Sequence, residues 1–331
     1  MYRRRALSIG LLLAATPAAA LELGWPVACT RGQDCWIVHY VDADLRPDRA
    51  ADFTCGTLSY DGHNGTDIAV RDRRAMAAGV PVLAAADGTV VRVRDGVPER
   101  PVVSDTVGAI HAVGEECGNG VLIDHPDGWQ SLYCHMKQDS VRVAPGQAVR
   151  RGEAIGAVGQ SGLAEFPHLH LGILRDGAVI DPFTSAPAAG CDAASGQPLW
   201  AAQTKVDYDP TMLFAAGFAA KPPELLALLT DASSPLTLAA DSSALVLWFM
   251  AYGVQAYDRI SFQIRGPGDR SFLKQDAVQR STRIRVMRYV GKRNRSGALP
   301  RGEYTGRVVL TRRRPDGGEL RRVIERRVMV R

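Results

Sequence analysis

Apolar residues along this chain alternate with polar ones at a period of two far more often than they recur at helical spacing. From about residue 80 to 185 the runs are VPVLAAADGTVVRVRDG, GNGVLIDHPDGWQSLYCHM, SVRVAPGQAVRRGEAIGAVGQSG and FPHLHLGILRDGAVIDP. Each joins short β-branched stretches through Asp-Gly, Pro-Gly or Arg-Gly turn signals, and none keeps a helical period beyond two turns. The pattern predicts an all-β domain of hairpins, with DHPDGW at 124–129 and Asp-Gly at 176–177 as tight connections. Between about 190 and 230 the texture turns Ala- and Pro-rich, and DPTMLFAAGF and PPELLALLT read as short helices in a connector. Alternation then returns in ALVLWFMAYGV, DRISFQIRGPG, TRIRVMRYVG and the arginine-rich C-terminal runs. About seven short strands in about 100 residues suit a small β-sandwich of immunoglobulin or fibronectin type III kind, without the Cys-Trp-Cys signature.

The first 20 residues modify this picture. MYRRRALSIGLLLAATPAAA has three arginines, an apolar run of about 15 residues and an Ala-x-Ala ending, the pattern of a signal peptide cleaved after Ala20. Residue 21 is Leu, so a lipid-anchored cysteine is not expected there. The apolar run is short of the roughly 20 residues a membrane span needs, and ALVLWFMAY at 244–252 is shorter still and reads as a buried strand. No membrane span is expected, and a periplasmic or secreted location is. The expected division is a leader at 1–20, an N-terminal disulfide-containing segment at 21–60, a β domain at 61–190, the connector at 191–230 and the sandwich at 231–331.

All six cysteines fall after the leader, an even count that in an exported chain points to disulfides. Six allow 15 connectivities, and the pairing stays open. The short loop CTRGQDC favours Cys29 with Cys35; Cys117 and Cys134 flank a hairpin, which leaves Cys55 with Cys191. Charge divides the chain as well. Residues 231–331 carry 21 Lys+Arg against 9 Asp+Glu, leaving 19 against 26 for residues 1–230. The overall +5 therefore hides a basic final domain behind an acidic front. Its arginines read first as solvated charge, and otherwise as a patch for an anionic surface or a regulatory protein. Nucleic acid would fit the charge alone, but export argues against it.

In FPHLHLGIL at 166–174, strand geometry places His168 and His170 on one face and Leu169 and Leu171 on the other. One face is chemical and the other is core. Upstream, YDGHNGTDIAV sets His63 and Asp67 four apart around a Gly-containing turn that lets imidazole and carboxylate converge on a cation. LYCHM places His135 near a strand end. His125, before Pro126, reads as structural, and His39 and His111 show no partner pattern.

The order and spacing of these pieces, with LAAADGTVV at 83–91, GNGVLIDH at 118–125 and PGQAVRRGEAIGAVGQSG at 145–162, resemble the lysostaphin-like (LytM-type) zinc metallopeptidases that cut peptidoglycan cross-bridges. The resemblance covers about residues 60–185. It implies a mainly β fold, with an antiparallel catalytic domain of the duplicated-hybrid-motif (LytM-like) type followed by the small sandwich. It implies one zinc per chain on His63, Asp67 and His170, with the fourth position open to water. It implies that His135 and His168 are the catalytic pair, handling the water's proton and the oxyanion in an order the residues do not fix. It places Asn119 and Tyr133 near the cleft as substrate-binding candidates, although a hairpin Asn and a half-buried Tyr need no function. Cys134 stands where the family usually has a small residue. Next to His135 on a strand it should face away, which disfavours a Cys-His nucleophile.

The function implied is an exported zinc metalloendopeptidase acting on peptidoglycan stem or cross-link peptides. The alternative is a catalytically inactive cell-wall-binding protein or amidase activator of the same fold. A zinc endopeptidase acting on other, glycine-rich peptides would use the same site.

Overall fold

The computed structural model describes residues 21–331 apart from 101–103, 188–189, 192–195 and 315–316. The leader expected at 1–20 lies outside the described residues. Strand takes 45% of the chain and helix 7%, which matches the mainly β expectation. No helix among the described residues is long and apolar enough to cross a membrane.

In chain order the first domain holds β1 (Cys35–His39), β2 (Thr66–Val70), α1 (Arg73–Ala78), β3 (Pro81–Leu83), β4 (Gly88–Arg94), α2 (Ser104–Ala112), β5 (Asn119–Asp124), β6 (Trp129–Met136), β7 (Ala148–Val149), β8 (Ala154–Ala157), β9 (His168–Arg175), β10 (Ala178–Asp181) and β11 (Ala186–Pro187). The main sheet runs β1-β2-β9-β6-β5-β4-β7, with β10 on β9 and β11 on β10, while β3 and β8 pair separately. Within the segment at 21–60, β1 is the sheet's edge strand, antiparallel to β2. The turns fall where Asp-Gly predicts them. Asp127 and Gly128 both have positive φ (59° and 74°), as do Asp176 and Gly177 (51° and 82°), the backbone a two-residue hairpin needs. Leu169, Leu171 and Ile173 of β9 enter the core with Ile68, Val121, Ile123 and Tyr133.

β12 (Met212–Ala219), α3 (Leu225–Thr230), β13 (Thr237–Leu238), β14 (Ala244–Val254), β15 (Arg259–Gly266), β16 (Arg270–Val278), β17 (Arg283–Arg293), β18 (Gly302–Arg313) and β19 (Glu319–Val330) follow. They form a three-stranded sheet, β12-β14-β17, and a five-stranded one, β13-β19-β18-β15-β16. The two sheets share a core around Phe218, Leu247, Phe249, Phe262 and Tyr304. The likeness to immunoglobulin-type sandwiches remains an expectation from strand spacing.

One sequence expectation is corrected here. MLFAAGFA forms β12, a strand and not a helix, because it pairs with β14 over Met212↔Tyr252 to Ala219↔Val246 and is buried nearly throughout. Sheet pairing outweighs alanine's helical preference. PPELLALLT does contribute α3.

The unbroken apolar run of β14 also has a structural cause. Leu245, Leu247, Phe249 and Ala251 fill the sandwich, while Trp248, Met250 and Tyr252 face a third cluster with Trp36, Val38, Ala69 and Phe166 of the first domain. A strand buried on both faces has no position left for a polar residue.

At the end of β10, Asp181 is 4% exposed. Burial, and more weakly Asp52, push its carboxyl from 3.8 up to about 6, against the lowering effect of the Phe183 N–H bonded to it at 2.8 Å. The folded value lies above the unfolded one, so the protonated form is fully compatible with the fold below about pH 4. As pH rises through 6 ionisation costs stability, on the order of 3 kcal/mol by pH 8. Asp181→Asn, which keeps the acceptor for Phe183, is expected to raise Tm by about 5 °C or more at pH 8 and leave it nearly unchanged at pH 4. Differential scanning calorimetry at both pH values checks this, and equal shifts would show that burial of the charge is not the cause.

Candidate active site

Three strands and one turn bring the sequence-predicted residues together. Asp67 on β2 stands opposite His170 on β9, and Ala69 opposite His168, so the His-x-His face lies beside the carboxylate. His63 reaches the same point from the turn before β2. His63 Nε2 lies 3.1 Å from Asp67 Oδ1 and 3.2 Å from His170 Nδ1, and His170 Nδ1 lies 2.9 Å from Asp67 Oδ1. All three are buried, and their ligand atoms lie within 4.8 Å of one another. The turn can close this tightly because residue 65 is glycine: a Cβ there would stand 2.5 Å from His170 Nε2.

The surroundings orient these donors. His63 Nδ1 is 2.7 Å from the Tyr40 carbonyl, which can only accept, so Nδ1 carries a proton and Nε2 is the nitrogen turned to the cluster. Asp67 Oδ2 is 2.9 Å from His39 Nδ1, so only Oδ1 faces the other donors. Burial alone would raise the Asp67 carboxyl, but His63, His168, His170 and His39 hold it well below the usual range. His39 was left out by sequence reasoning. Nothing in the run CWIVH marks it, and the signal is the β1–β2 register, which puts His39 opposite Asp67 across a bulge after Ile37. Its Nε2 is buried without a hydrogen-bond partner.

His135 and His168 complete the site, with ring centroids 4.6 Å apart. His135 Nδ1 lies 2.9 Å from the Ser161 carbonyl and His168 Nδ1 2.8 Å from the Phe166 carbonyl, so each ring carries its proton there and presents Nε2 bare. His168 Nε2 stands 3.7 Å from Asp67 Oδ1. Burial drives both histidines below their usual pKa, His135 furthest because His168 and His170 also repel its charge. Both are therefore neutral at pH 7.

His135 reaches this place through a local irregularity. The β5–β6 register slips between Asn119 and Val121, and His135 has φ 60°. Such left-handed backbone in a non-glycine residue is uncommon and persists only where neighbours hold it. Here the His135 N–H donates to Cys117 O at 2.8 Å, and a Cys117–Cys134 disulfide ties the adjacent residue. Cys29–Cys35 and Cys55–Cys191 are the other two pairs.

The two substrate-binding candidates lie elsewhere. Asn119 and Tyr133 are fully buried. The Asn119 side chain bonds Val97 and Met136, and Tyr133 Oη accepts from the Ala85 N–H at 2.7 Å. Their polar groups are used internally, where they brace the fold. His125 bonds the Asp87 carbonyl and Ser131 Oγ, a structural role as expected.

Residues 61–182 match the model of Peptidase family M23. A protein of Haemophilus influenzae described as an uncharacterized metalloprotease is 32% identical over 122 residues, 37% of this chain and 20% of that protein. Peptidoglycan DD-endopeptidase ShyA of Vibrio cholerae is 32% identical over 119 residues, 36% of this chain and 22% of that one. A zinc-containing peptidase from Vibrio cholerae of known structure is 26% identical, covering 45% of this chain and 39% of that chain at a TM-score of 0.29. The matched segments thus span about a fifth of the length of the two relatives.

Proposed function

We propose that residues 61–182, which match the model of Peptidase family M23, form a domain of that family, and that the protein is an exported zinc metalloendopeptidase that hydrolyses amide bonds in peptidoglycan stem or cross-link peptides. One observation carries the reading: His63, Asp67 and His170 meet with their donor atoms 2.9–3.2 Å apart, with two further histidines, His135 and His168, packed together within the same cluster. Ligands about 2.0–2.1 Å from a tetrahedral ion stand about 3.3 Å from one another, so the donor set fits zinc. When bound, zinc would polarise the scissile carbonyl and make water a stronger acid.

The chain's own groups supply the rest. His135 and His168 offer Nε2 to the attacking water, and the ring that takes its proton becomes a donor at the same atom. From there it returns the proton to the leaving amine or faces the oxyanion. The Ser161 and Phe166 carbonyls keep both rings in the tautomer this requires. Asp67, neutralising nearby positive charge, favours the protonated state of His168. Three disulfides support a life in an oxidising compartment. The rival reading, an inactive cell-wall binder or amidase activator, would be favoured by a missing ligand or base, and all five positions are filled.

Incubating the mature chain with defined muropeptides and analysing products by mass spectrometry tests the proposal. Cleavage at a peptide bond is expected, abolished by chelator and restored by about one equivalent of zinc. Unchanged muropeptides in the presence of zinc would refute it.

A further inference from the structure

The sandwich domain has an opening that the proposed hydrolysis does not use. β16 and β17 follow one another through residues 279–282, yet β16 pairs only with β15 and β17 only with β14. The hairpin is splayed between the two sheets. Its strands meet at one end, where Lys292 Nζ donates to the Phe272 carbonyl at 3.1 Å and lies over the Phe272 ring. At the other end Gln279 holds the connection, accepting from Arg288 at 2.8 Å and donating to the Ser281 carbonyl at 2.7 Å. Between these ends lies a groove of about 640 Å3, within the roughly 300–1,000 Å3 of ordinary ligand sites.

The lining is selective. Arg280, Arg283, Arg285 and Arg288 line it and no carboxylate does, while Phe262, Val286 and Val290 supply an apolar floor. Val278 and Tyr289 leave apolar surface at its rim, 55% and 46% exposed. Both bordering strands are sheet edges, with backbone groups free to pair with an added strand. Arg285 links this groove to the catalytic face. Its guanidinium stands 5.2 Å from the Phe166 ring, and that ring lies 4.8 Å from His168. Glu165 offers Arg285 one carboxylate at 3.7 Å, but Arg285 Nη1 is buried without a hydrogen-bond partner.

We infer that this groove binds an extended peptide carrying several free carboxylates. Its backbone would add to a strand edge, its acidic groups would pair with the arginines, and its apolar side chains would meet the floor. The inference rests on the endopeptidase reading, which it deepens by giving the acidic flank of the substrate a second point of attachment beside the catalytic strand.

Fluorescence anisotropy with the full mature chain tests this without requiring turnover, so its outcome is independent of whether hydrolysis occurs. The probe is a fluorescein-labelled peptide of about eight residues alternating Glu and Ala, long enough to run along one strand edge. Combining Arg280→Gln, Arg283→Gln and Arg288→Gln is expected to weaken binding about ten-fold or more at low salt, with zinc content unchanged and Tm lowered only by the loss of the Arg288–Gln279 bond. Arg285 stays, because it packs on Phe166. Should the triple variant not fold, Arg280→Gln and Arg283→Gln separately, both at exposed positions, are each expected to weaken binding about two- to three-fold. Equal binding by wild type and variants would overturn the inference. So would equal binding of the Gln-Ala counterpart, or tighter binding of inorganic polyphosphate than of the peptide, which would mark a general anion surface.

Discussion

His63→Ala is expected to yield a folded chain that no longer holds zinc, with muropeptide cleavage reduced at least about 10³-fold. The side chain supplies one of the three donors whose atoms lie within 4.8 Å of one another; among the described residues His168 Nε2, although 3.7 Å from Asp67 Oδ1, is outside that group, His39 Nδ1 is turned toward Asp67 Oδ2, and His135 Nδ1 is bonded to Ser161. Zinc affinity should fall by more than the 10- to 100-fold typical of losing an outer partner of a metal ligand. The change also leaves the Tyr40 carbonyl without its donor, at a cost of about 1–3 kcal/mol. Elemental analysis after equilibrium dialysis should therefore be read beside the thermal transition. Near-stoichiometric zinc in the folded variant would remove His63 from the ligand set.

The second large effect separates chemistry from metal binding. His135→Ala is expected to keep about one zinc per chain and lose about 10²- to 10⁴-fold in kcat, with KM little changed. Alanine is a poor occupant of the left-handed backbone at 135, where φ is 60°, so part of its effect could come from a shifted strand. Asparagine tolerates that region far better. His135→Asn should show the same loss in kcat with a smaller loss in Tm. Activity within about ten-fold of wild type in the Asn variant would show that the ring does not handle a proton in the reaction.

The parts of this molecule that could be read from sequence are those fixed by short-range rules. Alternation alone put His168 and His170 on one face of β9, and Asp-Gly pairs marked the turns on either side of β6 and β9. Cys29–Cys35 follows from loop length and Cys117–Cys134 from hairpin position, and Cys55–Cys191 is the pair those two leave over. What escaped depends on register and on partners distant in sequence. His39 meets Asp67 only because β1 bulges before pairing with β2, and no local pattern encodes a neighbouring strand's slip. β12 became a strand because β14 needed a partner with an apolar face. Asn119 and Tyr133 sit where family likeness suggests a cleft, but that likeness says nothing about depth, and both are fully buried in this structure. The short helix α2 occupies a stretch for which alternation proposed no element.

The placement of β1 bears on how the protein can be dissected in the laboratory. Family likeness begins at residue 61, but the carbonyl that orients His63 and the imidazole that occupies the outer oxygen of Asp67 come from Tyr40 and His39. A fragment cloned to the homology boundary would discard the scaffolding behind two of its three donors. A fragment made to test the proposed activity therefore has to reach back past the recognisable domain.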